Sequence, residues 1–247
     1  MSRVRGRWLI AAAALVAAAV LSVGLGSVRL SPGAVVQALW GAGDPNAVTI
    51  VRVLRLPRVV LVTAGNEMLE RFIKTLVNVH KAEGQILAPG AYSPDIPADL
   101  VIFDGFVPAA DKMPKADTLL LRPTLAGAGD AGGFKVISEM DNPVVLRTNL
   151  ESPLMQAVEL GELQLSRALV LERDPQATEL VSAPESPLVE YKDVAGSRRY
   201  IVAVSPLLES NWYKLPTFLI FLQNVLNDTR MRHYIGMPEI LAAGTPA

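Results

Sequence analysis

The longest uninterrupted apolar stretch of the chain lies near its beginning. Residues 8–26 carry no charge and consist mainly of Ala, Leu and Val. At about 1.5 Å per residue, a helix of this length spans about 28 Å, close to the hydrocarbon thickness of a bilayer. We therefore predict one membrane-spanning helix, with Arg3, Arg5 and Arg7 holding the N-terminus in the cytoplasm. A cleaved signal peptide and a buried core helix are the alternatives.

A basic segment follows this helix after a short predicted helix, capped by Ser31, and a loop over residues 41–47. Arg52, Arg55 and Arg58 recur every three residues, and Pro57 interrupts any helix there. An arginine at the centre of a bilayer costs roughly 2.5–3.5 kcal/mol, which argues against a second membrane helix. The pattern predicts a basic interfacial segment that runs into a strand, or alternatively the solvated face of a basic helix.

From Val59 onward the pattern becomes that of an α/β domain. Residues 59–66 form a β-branched apolar run that predicts a buried strand. Residues 66–79 show a helical apolar stripe, with Asn66 as a possible cap. Residues 98–108 and 118–123 predict two more buried strands. This order predicts a mainly parallel sheet covered by helices.

The second half of the chain alternates short strands with Pro and Gly breaks. Residues 126–133 read as a glycine-rich loop without the Lys of a phosphate-binding loop. Residues 191–204 predict a hairpin with Gly196 in its turn. Residues 215–228 predict the last helix, too short to span a membrane. We predict a membrane anchor over 1–58, an α/β domain over 59–240 and a tail over 241–247.

Composition excludes several function classes. The formal net charge is −1, so no global basic field favours nucleic acid. There is no cysteine, which removes thiolate nucleophiles and Cys-ligated metals. His80 and His233 are the two histidines, too few for a multi-histidine metal site. We expect no metal and no cofactor.

The first sixty residues resemble a transport family. The segments LSPGAVVQALWG (30–41) and RLPR (55–58) are similar to the N-terminus of FecCD-type permeases, the membrane subunits of iron–siderophore and cobalamin ABC importers. The resemblance covers residues 8–61, and it implies a transporter component whose partners are ABC transporter subunits. The further membrane helices of such a permease do not follow in the sequence.

Residues 59–240 resemble a different family. DLVIFDGFVP (99–108) and SPLLESNWYKLPTFLIFLQN (205–224) look like the C-terminal region of BatA-type, von Willebrand-A-containing bacterial membrane proteins. The resemblance implies a flavodoxin-like or class I glutamine amidotransferase-like sheet with a β-rich second half, and partners from a von Willebrand-A/AAA+ system. The two resemblances meet near 56–60, which favours a chimeric chain, natural or mis-assembled.

The candidate chemistry is sparse. A true amidotransferase hydrolyses glutamine with a cysteine nucleophile, so the absence of cysteine excludes that route. A Ser205–His233 hydrolase lacks the glycines of a nucleophile elbow. Asp104 ends a buried strand, as a phospho-acceptor would, but the first strand ends in Thr63-Ala64-Gly65 rather than in the acids that hold Mg²⁺. The alternatives for Asp104 are a structural residue that caps the following turn and a polar group that faces a ligand at the carboxyl edge of the sheet.

The remaining candidates lie just before the last helix. Asn211 and Trp212 belong to a polar-aromatic loop that could touch a partner or the membrane interface, or could cap the helix with packed aromatics. We expect no catalytic residue. The sequence therefore predicts a non-catalytic domain for protein–protein interaction, tethered by one helix to the inner membrane and lying on its extracytoplasmic side. A permease component and a cryptic hydrolase or phospho-acceptor are the alternatives.

Overall fold

Runs of consecutive buried residues form the centre of an eight-stranded sheet. The computed structural model describes residues 56–124 and 129–234, and those from Leu56 to His233 form one unit. The membrane helix expected at 8–26, the arginines at 3, 5 and 7, most of the permease-like segment and the tail at 241–247 lie outside the described residues.

The large sheet is mixed. Its strands are β1 (Arg58–Val62), β2 (Glu83–Leu87), β3 (Leu100–Asp104), β4 (Asp117–Leu121), β7 (Arg147–Thr148), β9 (Thr178–Ser182), β10 (Pro187–Val194) and β11 (Ser197–Val202). Their order is β2-β1-β3-β4-β11-β10-β9-β7. The first five in this order are parallel, and the last three run antiparallel to their neighbours.

The central strands are apolar at every position because both of their faces are covered. In β1, Val59 and Leu61 point into one core, and Val60 and Val62 point into the other. Val60 lies beside Val101 of β3 in the parallel register. The continuous apolar runs of the sequence thus correspond to strands that are buried on both sides, as predicted.

Two helices cover one face of the sheet. Helix α1 (Glu67–Val79) begins at Asn66, whose side chain accepts a hydrogen bond from the Leu69 N–H. Helix α2 (Pro216–Tyr234) is six residues longer at its end than the pattern predicted. Both helices bury apolar residues against the sheet: Leu69, Ile73, Leu76, Phe218, Phe221, Leu222, Val225 and Leu226. Among the described residues, neither helix is long and apolar enough to cross a membrane.

A small antiparallel sheet covers much of the other face, where helices were expected. It consists of β5 (Gly129–Ala131), β6 (Phe134–Asp141) and β8 (Arg167–Leu171). Phe134, Val136, Leu169 and Leu171 pack with the large sheet in the second core. The glycine-rich stretch read as a loop therefore supplies β5, and Gly132 and Gly133 take positive φ angles of 64° and 99° at its turn.

The sequence pattern predicted the hairpin correctly but missed one strand at the edge of the sheet. Residues Val194–Ser197 close the β10–β11 hairpin, with Gly196 in its turn at φ 87°, as predicted. Strand β2 was not predicted, because its sequence EGQIL is polar and mostly exposed at the edge of the sheet. A Cβ on Gly84 would lie 2.8 Å from a Val77 methyl, so glycine allows α1 to pack there.

Candidate functional site

The described residues form an open cleft of about 600 Å³ at the carboxyl edge of the large sheet. Strands β2 and β3 lie on opposite sides of β1, so the strand order reverses there. Ligands of open α/β sheets bind at such a reversal, beyond the carboxyl ends of the strands. The cleft is lined by residues at or just after the carboxyl ends of β1, β3, β4 and β11, and by Glu139 of β6.

A hydrogen bond between Thr63 and Asp104 connects the carboxyl ends of β1 and β3. The Thr63 hydroxyl donates to Asp104 Oδ2 over 2.8 Å and accepts hydrogen bonds from the backbone N–H groups of Gly65 and Asn66. Thr63 is 4% exposed. Since its oxygen donates once and accepts twice, this hydroxyl is fully engaged in holding the turn between β1 and α1.

Arg122 occupies the end of the central strand β4. Its backbone has a φ of 45°, a left-handed conformation that costs a non-glycine residue about 1–2 kcal/mol. Its guanidinium donates to Glu209 over 2.8 Å and to Glu139 over 2.7 Å. Burial opposes the charge, but the hydrogen bonds and charges of these two carboxylates outweigh it and raise the pKa of Arg122.

The loop over residues 205–213 forms the far wall of the cleft. Glu209 also accepts a hydrogen bond from the Ser205 N–H over 3.0 Å, and the Ser205 hydroxyl accepts from the Leu208 N–H over 3.1 Å. Leu208 is 82% exposed at the tip of this loop. It lines both the main cleft and a second one of about 480 Å³.

The structure separates the residues that the sequence singled out. Asp104 lines the main cleft, whereas Asn211 lines the second cleft. The Asn211 side chain accepts from the Gln164 N–H and donates to the Glu162 carbonyl oxygen, at 2.8 and 2.9 Å. These bonds tie the loop to residues 162–164.

Trp212 lies in the core rather than on the surface. It is 1% exposed, packs its ring 5.4 Å from that of Phe218, and donates from Nε1 to the Thr217 hydroxyl over 3.2 Å. These contacts match the alternative of packed aromatics before the last helix. They leave Trp212 without the surface needed to touch a partner.

Ser205 and His233 lie at opposite edges of the sheet. Ser205 follows β11 at the carboxyl edge, whereas the His233 Nε2 lies 3.4 Å from Asp117, the first residue of β4, at the amino edge. A strand as long as β4 separates these edges by about 13 Å. The contact with the Asp117 carboxylate raises the pKa of His233 against the opposing effect of burial. A Ser205–His233 pair is therefore excluded by geometry.

Sequence reasoning missed the residues that hold this site together. No motif marks Arg122 or Glu139, and Glu209 stands in the polar-aromatic loop before the last helix, where only Asn211 and Trp212 were candidates. A signal existed for Arg122, because it directly follows the buried run LLL at the end of a predicted central strand. Its partners are 17 and 87 residues away in sequence, so no local pattern links them.

Comparison with known proteins shows the fold alone. No protein-family model matches the chain, and no curated protein sequence is significantly similar to it. Among solved structures, it is similar to the cytoplasmic protein STM1381 from Salmonella typhimurium LT2, with a TM-score of 0.53, 9% identity, and coverage of 70% of this chain and 99% of that chain. The cytoplasmic protein STM3548 from Salmonella typhimurium gives a TM-score of 0.53 at 7% identity, covering 70% and 98%.

Proposed function

We propose that the chain is a non-catalytic, membrane-tethered α/β domain that binds a protein partner on the extracytoplasmic side. The observation that carries this proposal is that the polar groups of the cleft are already bound to one another. The strained end of the central strand, where folds of this kind can present a nucleophile, carries Arg122 bound to two carboxylates. The Thr63 hydroxyl is saturated by structural hydrogen bonds.

Binding is the function that such a site still supports. The cleft is preorganised at the reversal of the strand order, and its wall carries a leucine that is 82% exposed. A protein partner that covers this leucine would remove its apolar surface from water, which favours association. The resemblance of residues 59–240 to the BatA-type region supports an extracytoplasmic setting beside membrane anchors.

The tether is proposed from the sequence of residues 8–26 and from Arg3, Arg5 and Arg7. Alkaline phosphatase folds to an active form outside the cytoplasm, so its fusion after residue 247 reports the side of the membrane. We expect phosphatase activity in the membrane fraction, and inversion or loss of that activity when the three arginines become glutamates. Recovery of the full-length chain from a detergent-free aqueous extract would contradict the tether.

The interaction and the lack of catalysis need a separate test. Full-length tagged chain in its native membrane is treated with a short amine-reactive cross-linker and purified. We expect discrete adducts with another protein, and no turnover of glutamine or of ester substrates. A chain that stays free of protein adducts, or that hydrolyses either substrate in a manner abolished by Asp104→Asn, contradicts the proposal.

A further inference from the structure

Two buried carboxylate oxygens lie on directly opposite residues of the large sheet. Glu190 of β10 pairs with Glu179 of β9 in the antiparallel register, so the two side chains project from the same face, with their Cβ atoms about 5 Å apart. Glu190 is 1% exposed. Glu190 Oε2 and Glu179 Oε2 are both buried, and neither has a hydrogen-bond partner within residues 56–124 and 129–234. Each buried oxygen therefore lacks a donor that it needs.

The two arginines beside Glu179 do not supply this donor. Arg173 donates to the other carboxylate oxygen of Glu179, Oε1, and to the Ala183 carbonyl oxygen over 3.3 Å. Arg147 of β7 approaches Glu179 Oε2 to 3.6 Å, which is too long for a hydrogen bond, and its side chain is 73% exposed. Solvent screens an ion pair as exposed as this one, so it compensates little of the buried charge.

The nearest cation on β10 itself is also engaged elsewhere. Lys192 lies two residues along the strand from Glu190 and therefore on the same face. Its ammonium group donates to the Gly133 carbonyl oxygen and, over 2.7 Å, to Asp174 Oδ2. Asp174 adds a further negative charge to this region, so Lys192 is largely neutralised before it can compensate Glu190.

The strands on the other sides of Glu190 offer no free cation. On β11, Ile201 lies directly opposite Glu190 and belongs to the second core, so Glu190 faces that core. Arg199 of the same strand donates from Nη1 to the Gly132 carbonyl oxygen over 2.8 Å. Strand β8 contributes apolar side chains to this core: Leu169 and Leu171. The group that lies opposite Glu190 on β9 is thus another carboxylate.

We propose that Glu179 and Glu190 share one proton, and that its release to solvent loosens the outer edge of the large sheet, formed by β9 and β7. With the proton, one carboxyl group donates to the other carboxylate, and both orphaned oxygens gain a partner. Without it, two negative charges face each other in a buried place, which is unfavourable for like charges on opposite residues. Burial, and then the charge of Glu179, raise the pKa of Glu190 to about 7, so this change falls near neutral pH.

The edge is the part of the sheet that can yield. Beyond β9 lies only the two-residue strand β7, whereas β10 is paired over six residues with β11. The Leu146 N–H donates to the Ser182 carbonyl oxygen, and the Asn149 N–H donates to the Leu180 carbonyl oxygen, each over 2.8 Å. The segment around β7 presents three exposed apolar side chains: Val144, Leu146 and Leu150. The proton therefore controls the order of an apolar surface segment.

Hydrogen exchange of the full-length chain in detergent tests this device. The protection factors of the Leu146 and Asn149 N–H groups, corrected for intrinsic exchange rates, are followed by NMR from pH 5 to pH 9. We expect both factors to fall at least about tenfold, because stabilisation by a group with a raised pKa is present at low pH and is lost as the pH rises. The Gly105 N–H, which donates to the Leu121 carbonyl oxygen over 2.9 Å among the parallel strands, is the control. Constant protection at the edge, or an equal fall at Gly105, would overturn a local release.

Three variants show whether the proton belongs to the pair. Glu190→Gln keeps a donor without a titration, so the protection of the edge should no longer depend on pH. Glu179→Gln should lower the midpoint of the change by about one pH unit, the coupling expected of two carboxyl groups that share a site. Glu185→Gln removes an exposed carboxylate from the β9–β10 connection and should leave the midpoint unchanged.

Two results would contradict the shared proton. Retained pH dependence in Glu190→Gln would assign the titration to another group. A midpoint that is the same in Glu179→Gln and in the natural protein would mean that Glu190 titrates alone, and either result overturns the proposal.

Discussion

Glu190 provides a pH-dependent test of the burial of strand β10. It lies within β10, it is 1% exposed, and its Oε2 has no hydrogen-bond partner among the described residues. Glu179 of β9 lies directly opposite in the antiparallel register. Burial, and then the charge of Glu179, raise the pKa of Glu190 to about 7. The variant Glu190→Gln keeps the shape of the side chain and removes its ionisation.

The expected magnitude follows from the change in proton affinity. The pKa rises from an ordinary value of 4.5 to about 7, and each tenfold change in proton affinity corresponds to about 1.4 kcal/mol, giving about 3 kcal/mol in all. The folded state binds this proton more tightly than the unfolded state. The stabilising contribution is therefore complete below pH 4.5 and is lost as the pH rises through about 7.

The assay is urea unfolding of the full-length chain and of the Glu190→Gln variant across this pH range. Other carboxylates titrate in the same window, so the difference in unfolding free energy between the two proteins is the quantity to measure. We expect the variant to gain about 3 kcal/mol relative to the natural protein between pH 4.5 and pH 8. Glu185→Gln, at an exposed position in the β9–β10 connection, is the matched control for the loss of one negative charge.

A difference that stays constant over this range would refute the reasoning. It would mean that water or a rearranged cation solvates Glu190, so that its burial carries no electrostatic cost. An increase in the difference that the control reproduces would point instead to the overall charge of the chain.

Three further perturbations test other parts of the structure. Arg122→Ala should lower the free energy of unfolding by about 2–3 kcal/mol, since it removes the cation that pairs with the largely buried Glu209. Arg122→Gly should lose about 1 kcal/mol less because glycine tolerates the left-handed backbone, and equal losses in urea titrations would contradict the strain. His233→Gln should destabilise the protein most below pH 6.5, because the raised pKa of His233 makes its contact with Asp117 stabilising at low pH, and this stabilisation is lost as the pH rises. A loss of unfolding free energy that does not vary from pH 5 to 9 would contradict this role of His233. Leu222 is 1% exposed, so Leu222→Ala should lower the free energy of unfolding by about 2–5 kcal/mol. A loss under about 1 kcal/mol by calorimetry would mean that α2 does not pack on the sheet.

The cleft shows why part of the site escaped sequence reasoning. Asp104 was found because a polar residue that ends a buried run is visible locally. The Arg122–Glu209 pair was not found, because β4 and the loop after β11 become neighbours only through the strand order. Trp212 was ambiguous for a related reason, since an aromatic residue before a helix can face outward or inward until the neighbouring helix is placed.

The sequence by itself determined the elements whose residues all follow one local pattern of apolar and polar positions. These are the buried strands β1, β3 and β4, helix α1 with its Asn66 cap and the hairpin turn at Gly196. The tertiary structure decided which elements become neighbours. It added β2 at an edge where polar residues carry no periodic signal, and it covered the second face with a small sheet. It also brought Arg122, Glu139 and Glu209 together. Periodicity records which side of an element is buried, whereas pairing depends on contacts between residues far apart along the chain.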